Sequence, residues 1–207
     1  MISKRSSARR TAAACAASVV ALVLAGCGSS DSSSGHDDRT ASSPSAPVSA
    51  AEGPHNAADT AFAKGMIPHH RQAVEMAGLA PGRAGSAAVK KLAEDIRKAQ
   101  DPEIRTMSGW LASWGEEVPA EGSMGHAMHG GGGMMSAEAM GELKNTSGEE
   151  FDTAFLKMMI EHHEGAVDMA RTEQADGVHG PAKTMAAAII TSQTAEITQM
   201  NELLGDN

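Results

Sequence analysis

The chain has 207 residues, with 17 Lys+Arg, 26 Asp+Glu and a formal charge of −9. That balance excludes a nucleic-acid-binding protein, which needs a basic face. Two cysteines against 14 methionines and nine histidines leave little scope for a disulfide framework or a thiolate metal cluster.

The amino end carries Lys4, Arg5, Arg9 and Arg10 ahead of an apolar, Ala-rich run from Thr11 to Ala25. A basic start, a short apolar run and small residues describe an export signal, too short for a stable membrane-spanning helix. The run closes on Leu24-Ala-Gly-Cys27, which resembles a bacterial lipobox. Residues 1–26 are then a lipoprotein signal peptide and Cys27 is lipidated, anchoring the protein to the extracytoplasmic face of the membrane. Removing the signal takes away those four basic residues and Cys15, leaving 13 Lys+Arg against 26 Asp+Glu and Cys27 as the one remaining cysteine. Residues 27–56 are Ser, Gly, Asp, Pro and Ala with scarcely an apolar side chain, a composition that reads as a flexible tether. His36 and His55 within it read as incidental.

Beyond the tether the chain is a duplication. Asp59–Ala77 and Asp152–Ala170 are identical at 13 of 19 positions, and each contains an adjacent His pair. At the same offset of 93, Lys90, Ala93, Ile96 and Gln100 match Lys183, Ala186, Ile189 and Gln193. Glu103, Ile104, Met107 and Leu111 match Glu196, Ile197, Met200 and Leu204. A constant offset means two copies of a two-segment unit.

Both segments of each copy are amphipathic at the helical period. Phe62, Met66, His69, Ala73, Met76 and Ala77 share one face of the first, with Asp59 as its N-cap. Pro68 and Pro102, which face Glu161 and Ala195 in the other copy, read as kinks within helices rather than ends. Leu92, Ile96, Ala99, Met107, Trp110, Leu111 and Trp114 stripe the second segment; Met185, Ile189, Met200, Leu203 and Leu204 do so in the other copy. Gln100 and Glu103, with Gln193 and Glu196, lie on that same stripe. Ala80–Gly85 and Asp176–Pro181 read as the hairpin turns. Two hairpins with one apolar stripe each bury them together, giving an all-α four-helix bundle over residues 57–207. Its halves span about 57–118 and 136–207 and are joined by a loop at 119–135, after which Ser136 caps a short helix.

That loop contains four consecutive glycines together with Met124, His126, Met128, His129, Met134 and Met135. His-rich tracts read as metal sites and thioethers suit soft ions, so the loop is a candidate metal collector.

The repeated motif carries the sharper chemistry. Successive helical residues point about 100° apart, so His69 falls mid-stripe and His70 on its flank beside Met66. The second copy repeats this with Met159, His162 and His163. Bringing the hairpins together places His69, His70, His162 and His163, with Met66, Met76, Met159 and Met169, in or beside one interior. A single inward His is more often a satisfied core residue, and a Met stripe is more often packing. Four buried imidazoles in duplicated pairs cost several kcal/mol unless hydrogen-bonded or ligated. Metal ligation by at least one pair is the favoured reading.

Imidazole with thioether and no thiolate favours copper, Cu(I) above all, with silver as its soft analogue. Iron is the runner-up. A four-helix di-iron centre needs Glu-x-x-His, and the residues three before His69 and His162 are Met66 and Met159. Glu103 and Glu196 could serve as ligands or as acceptors that orient the rings, or could simply be part of a half-exposed helix face.

The pattern Phe-x-x-x-Met-Ile-x-His-His-x-x-Ala-Val-x-Met-Ala, twice in one exported chain, resembles the bacterial family catalogued as domain of unknown function 305. The likeness runs from Asp59 to Leu204. It implies a ferritin-like four-helix bundle, usually exported, and some members are similar to periplasmic copper-binding proteins that support copper resistance. Met66, His69, His70, Met76, Met159, His162, His163 and Met169 occupy the motif positions.

The leading expectation is a lipid-anchored copper-binding protein that sequesters, buffers or delivers copper outside the membrane. A copper-handling partner protein and a homo-oligomer, with His70 and His163 flanking the core, are both compatible with it. A ferritin-like metal oxidase and a non-catalytic interaction module with structural histidines are the alternatives. No nucleophile–base arrangement, phosphate-binding loop or dinucleotide fingerprint is present.

Overall fold

The structure, a computed structural model, describes residues 53–122 and 132–205. The export signal, Cys27, His36, most of the tether, and Met124, His126, Met128 and His129 lie outside the described residues. Five helices follow in order: α1 (Ala57–Arg83), α2 (Ala87–Ser113), α3 (Ala137–Asn145), α4 (Gly148–Asp176) and α5 (Gly180–Leu204). The described residues contain no β-strand, and none of their helices is long and apolar enough to cross a membrane.

The helix starts follow local hydrogen-bond chemistry, with one correction to the sequence reading. The N-cap of α1 is Asn56, whose side chain accepts from the backbone of Ala58 and Asp59, while Asp59 returns a bond to the Asn56 N–H at 2.6 Å. Asp59 is therefore the third helical residue of a capping box. Ser86 caps α2, and Ser136 caps α3 as its sequence suggests. Pro68, Pro81 and Pro102 all lie inside continuous helices. Helix α1 thus runs past Pro81 to Arg83 and leaves a turn of only three residues, 84–86, shorter than expected. In the other copy α4 reaches Asp176 and α5 begins at Gly180 with Pro181 in its first turn, where a missing N–H is harmless.

Helices α1 and α2 form one hairpin, α4 and α5 the other. The hairpins meet chiefly through α1 on α4, and α2 touches α5 only slightly. The outer stripes are correspondingly narrower than the helical period suggests, with Ala99 and Leu203 exposed.

The core is divided in two. One apolar cluster takes Ala73, Met76 and Ala77 from α1 with Phe151, Phe155 and Met159 from α4. The other takes Phe62, Met66 and Ile67 from α1 with Ala166 and Ala170 from α4. The residues between the two sets are His69 and His70 on α1, and His162 and His163 on α4. Two stacks of side chains therefore sandwich a layer of imidazoles at mid-height.

Candidate metal centre

All four histidines are buried, each at 0–1 % exposure. His70 and His163 are not at the flank, where the helical wheel puts them; they are enclosed by the second helix of their own hairpin. The Nε2 of His70 lies 2.7 Å from Glu103, and that of His163 lies 2.6 Å from Glu196. The two pairs are repeat counterparts and have the same geometry. A carboxylate only accepts, so each Nε2 carries a proton. Glu103 and Glu196 keep about a fifth of their side-chain surface exposed, at 22 % and 19 %. Of the two roles open to these acids, the geometry is that of acceptors orienting the rings.

His69 and His162 form the centre of the layer. Their rings face one another across the α1–α4 contact with centroids 3.7 Å apart and planes tilted by 40°. The Nε2 of His69 donates to the Gly132 carbonyl at 2.6 Å. Neither nitrogen of His162 has a partner, and the Nδ1 atoms of His69, His70 and His163 are likewise buried and unpartnered. Five orphaned ring nitrogens in one layer are a heavy cost, about 1–3 kcal/mol for each unsatisfied group.

The electrostatics keep the two facing rings, His69 and His162, neutral. Burial pushes the His69 pKa down to about 3, with the neighbouring His70 and His163 adding to the shift against the Gly132 bond. Burial and the three other histidines hold His162 well below the ordinary imidazole range. A neutral imidazole is the form that ligates metals.

The thioethers sit to either side. Met66 and Met169 belong to one apolar cluster, Met76 and Met159 to the other. Met66, Met76 and Met159 are fully buried, while Met169 is partly exposed. Since Met66 matches Met159 and Met76 matches Met169 in the repeat, each cluster receives one of these four motif methionines from each hairpin. Met158, partly buried, lies beside the Met76 and Met159 cluster.

Among the described residues no three of His, Cys, Asp or Glu converge as a ready-made metal site. A hard-ion site rich in carboxylates is thus not what this layer resembles. The donors present are neutral imidazole nitrogens and thioethers, a set that fits a soft cation of low coordination number.

Of the loop methionines, Met134 and Met135 are described and half-buried. Met135 is bound into the fold through its backbone: its N–H donates to the Gln72 side chain at 2.7 Å and its carbonyl accepts from it at 2.8 Å. The Met135 side chain packs against the apolar cluster of Met76. Gln72 and Gly132 were not singled out by the sequence, although Gln72 faces Gly165 in the repeat and that mismatch was visible. Gln100 and Gln193, counterparts one turn before the two acids, are buried at 2 % and 3 % with unpartnered amide atoms.

A second polar cluster lies where Asp59 meets the α4–α5 turn. His55 stacks on Trp114 at 4.4 Å, so it is a packing residue and not incidental. His179 lies edge-on to both Trp110 and Trp114. Glu173, 1 % exposed, faces Asp59 with no donor aimed at either oxygen.

The sequence pattern described as "Domain of unknown function (DUF305)" matches residues 59–204, most of the chain. The chain belongs to the DUF305 family. A DUF305 protein from Streptomyces coelicolor is 33% identical, with 72% of this chain and 93% of that one covered at a TM-score of 0.65. A DUF305 fragment from Deinococcus radiodurans is 30% identical, covering 75% and 100% at a TM-score of 0.66. CopM in its Cu(I)-bound form is 32% identical, covering 72% and 96% at a TM-score of 0.60. CopM has also been solved in Cu(II)-bound and Ag-bound forms. No curated protein matches the chain. As a DUF305 protein the chain has the all-α bundle expected of it, and its doubled His-His motif lies at the centre of that bundle.

Proposed function

We propose that this protein binds copper outside the cytoplasm, anchored to the membrane through lipid on Cys27, and sequesters, buffers or delivers it. The observation that carries the copper reading is the His69–His162 pair. Two neutral imidazoles sit face to face in a buried layer, with orphaned nitrogens and thioethers on both sides. Burial without partners is unfavourable for a purely structural layer, and soft-ion ligation removes that cost. The copper- and silver-bound forms of CopM, a protein of similar fold and 32% identity in its Cu(I)-bound form, support the choice of cargo.

Cu(I) is the favoured oxidation state, because imidazole and thioether donors match a soft monovalent ion and survive where a thiol would oxidise. The ligand set under this reading is His69, His162 and one or more of Met66, Met76, Met159 and Met169, with His70 and His163 as further donors. The lipid anchor rests on the Leu24–Cys27 motif alone.

The test is anaerobic competition for Cu(I) against a chromogenic chelator, run on the full chain and on a variant with His69, His70, His162 and His163 all replaced by Ala. Circular dichroism checks that the variant keeps its helices. Tight binding that collapses in a folded variant supports the proposal; equal binding moves the site to the Met124–Met135 loop. No binding by the parent chain removes copper and turns attention to iron. Incorporation of labelled fatty acid, lost on Cys27→Ala, tests the anchor.

A further inference from the structure

The two copies of the repeat are not equivalent at their centre, and what breaks the symmetry is a short strap. Residues 132–135, the end of the segment joining the hairpins, cross the α1–α4 junction directly over the facing imidazoles. Gly132 and Gly133 take positive φ values of 101° and 73°, open to glycine without strain. The strap lies so close to α4 that a Cβ on Gly165 would collide with the Gly132 carbonyl, and one on Gly133 would collide with the Glu161 carbonyl. The Gln72 amide clamps it from α1 through both polar atoms of the Met135 backbone. One residue before Gln72, Arg71 donates to the Pro119 and Ala120 carbonyls, holding the other end of the same connection.

The internal comparison isolates these contacts. Asp59–Ala77 and Asp152–Ala170 differ at six positions, and among them are Arg71 against Glu164, Gln72 against Gly165 and Pro68 against Glu161. Residues on both sides of the repeat have thus diverged where one connection, present once, must be received by two similar helices. On α1 the difference supplies anchors; on α4 it supplies room.

We propose that the strap is a positioning device for the imidazole layer: its Gly132 carbonyl fixes the proton of His69 on Nε2 and so presents Nδ1 as the donor to a soft metal cation. A carbonyl can only accept, so the 2.6 Å contact with His69 allows a single tautomer. The same assignment is made for His70 by Glu103 and for His163 by Glu196. Three of the four rings thereby have an acceptor behind Nε2. His162 has no such partner, so the facing pair consists of one preset ring and one free to choose its tautomer. The inference rests on the copper reading for its ligand, but the tautomer itself is a property of the metal-free chain.

The experiment is histidine-selective 15N NMR on the metal-free full chain, compared with Gln72→Gly and Gly165→Ala. The first variant removes the clamp by installing the other copy's residue; the second drives a methyl into the strap. In the parent chain His69 should show the Nε2–H tautomer with a slowly exchanging ring proton. Both variants should lose that protection at His69 while His70 and His163, tied to their carboxylates, keep theirs. Cu(I) competition on the same samples should show affinity weakened about 10–100-fold, the usual consequence of losing a partner behind a ligating ring. An unchanged His69 signal in both folded variants overturns the proposal. So does a parent chain in which His69 carries its proton on Nδ1. A parent chain that fails to bind Cu(I) while its His69 tautomer behaves as stated would sink the copper reading and leave the strap's positioning role intact.

Discussion

Asp59 and Asp152 cap each other's hairpins. The Asp152 carboxylate accepts from the backbone N–H groups of Gly85 and Ser86, at 3.1 and 2.7 Å, at the start of α2. Its counterpart Asp59 accepts from Val178 and His179, at 3.1 and 2.8 Å, at the start of α5. Each aspartate belongs to the first helix of one hairpin and satisfies the second helix of the other. Four otherwise unpaired N–H groups are met, and two negative charges sit at positive helix ends.

Replacing either aspartate should therefore loosen the association of the hairpins. Asp152→Ala should cost about 1–3 kcal/mol, the range for stranding buried N–H groups at a cap. Asp59→Ala should cost at least as much, because Asp59 also closes the capping box at Asn56. The two sites lie at opposite ends of the bundle, so their effects should add. Urea unfolding of the singles and the double measures this; a strongly sub-additive double would contradict it.

Stability should also fall as pH rises through neutrality, on account of Glu173. Burial raises its pKa, and the hydrogen bond and charge of Asp59 add to the effect, bringing it to about 8. Asp59 stays ionised: burial opposes its charge, but the N–H groups of His179, Asn56 and Val178 and the Glu173 proton outweigh it and lower its pKa. The folded chain therefore holds a proton on Glu173 that the unfolded chain releases near pH 4.5. The stabilisation is complete below that value, declines as pH rises to about 8, and is absent above it. Between pH 7 and 9, above the range in which the buried His69 and His162 contribute the opposite slope, urea midpoints should decrease by about 1–2 kcal/mol in all, and Glu173→Gln should flatten the trend. A midpoint rising from pH 7 to 9 would overturn the assignment.

The carboxylates behind His70 and His163 allow a finer test. Glu103→Ala leaves a buried Nε2–H without an acceptor and should cost about 1–3 kcal/mol. Glu103→Gln keeps an oxygen at 2.7 Å reach and should recover most of that loss. If Glu103 acts through orientation, the glutamine variant should also retain Cu(I) binding within a few-fold of the parent chain. If the acid were itself a ligand, Gln would bind far more weakly. Competition titrations of the two variants separate these outcomes.

The chain's two tryptophans lie in one cluster with His55 and His179. His55→Ala removes a ring stacked 4.4 Å from Trp114 with planes 9° apart. It should destabilise the protein by about 0.5–1.5 kcal/mol and red-shift the tryptophan emission as Trp114 gains solvent. Unchanged emission would show that the segment preceding α1 does not rest there in solution.

Much of this architecture is legible in the repeat. The offset of 93 dictates two hairpins, and the apolar stripe of Phe62, Met66, His69, Ala73 and Met76 dictates the buried face of α1, all of it enclosed as the period demands. The in-register Glu103 and Glu196 stand one turn after buried glutamines and reach the histidines they match. What the pattern misplaces has physical causes. Asp59 sits at a helix start and resembles a cap for its own helix, yet its second oxygen serves the partner hairpin, a contact 120 residues away. His70 falls on the flank of an isolated wheel and is buried only because α2 covers that side of α1. Pro81 looks like a terminator, but the residues after it continue the helix at no further cost, since proline disrupts only the turn before it. The strap is the least legible element. Nothing in Gly132 or Gly133 distinguishes them from the glycines before them; their role depends on Gly165, 32 residues on.

The crossed aspartates bear on how such a chain could have arisen. A hairpin on its own lacks the two bonds that its aspartate makes to the other hairpin and the two that its second helix receives. Two copies of the same hairpin would supply those bonds to each other. The architecture is that of a homodimer whose subunits have been joined end to end. Once joined, the pair acquired a connection that a symmetric dimer could not have, and only then could the two facing imidazoles become chemically different from one another.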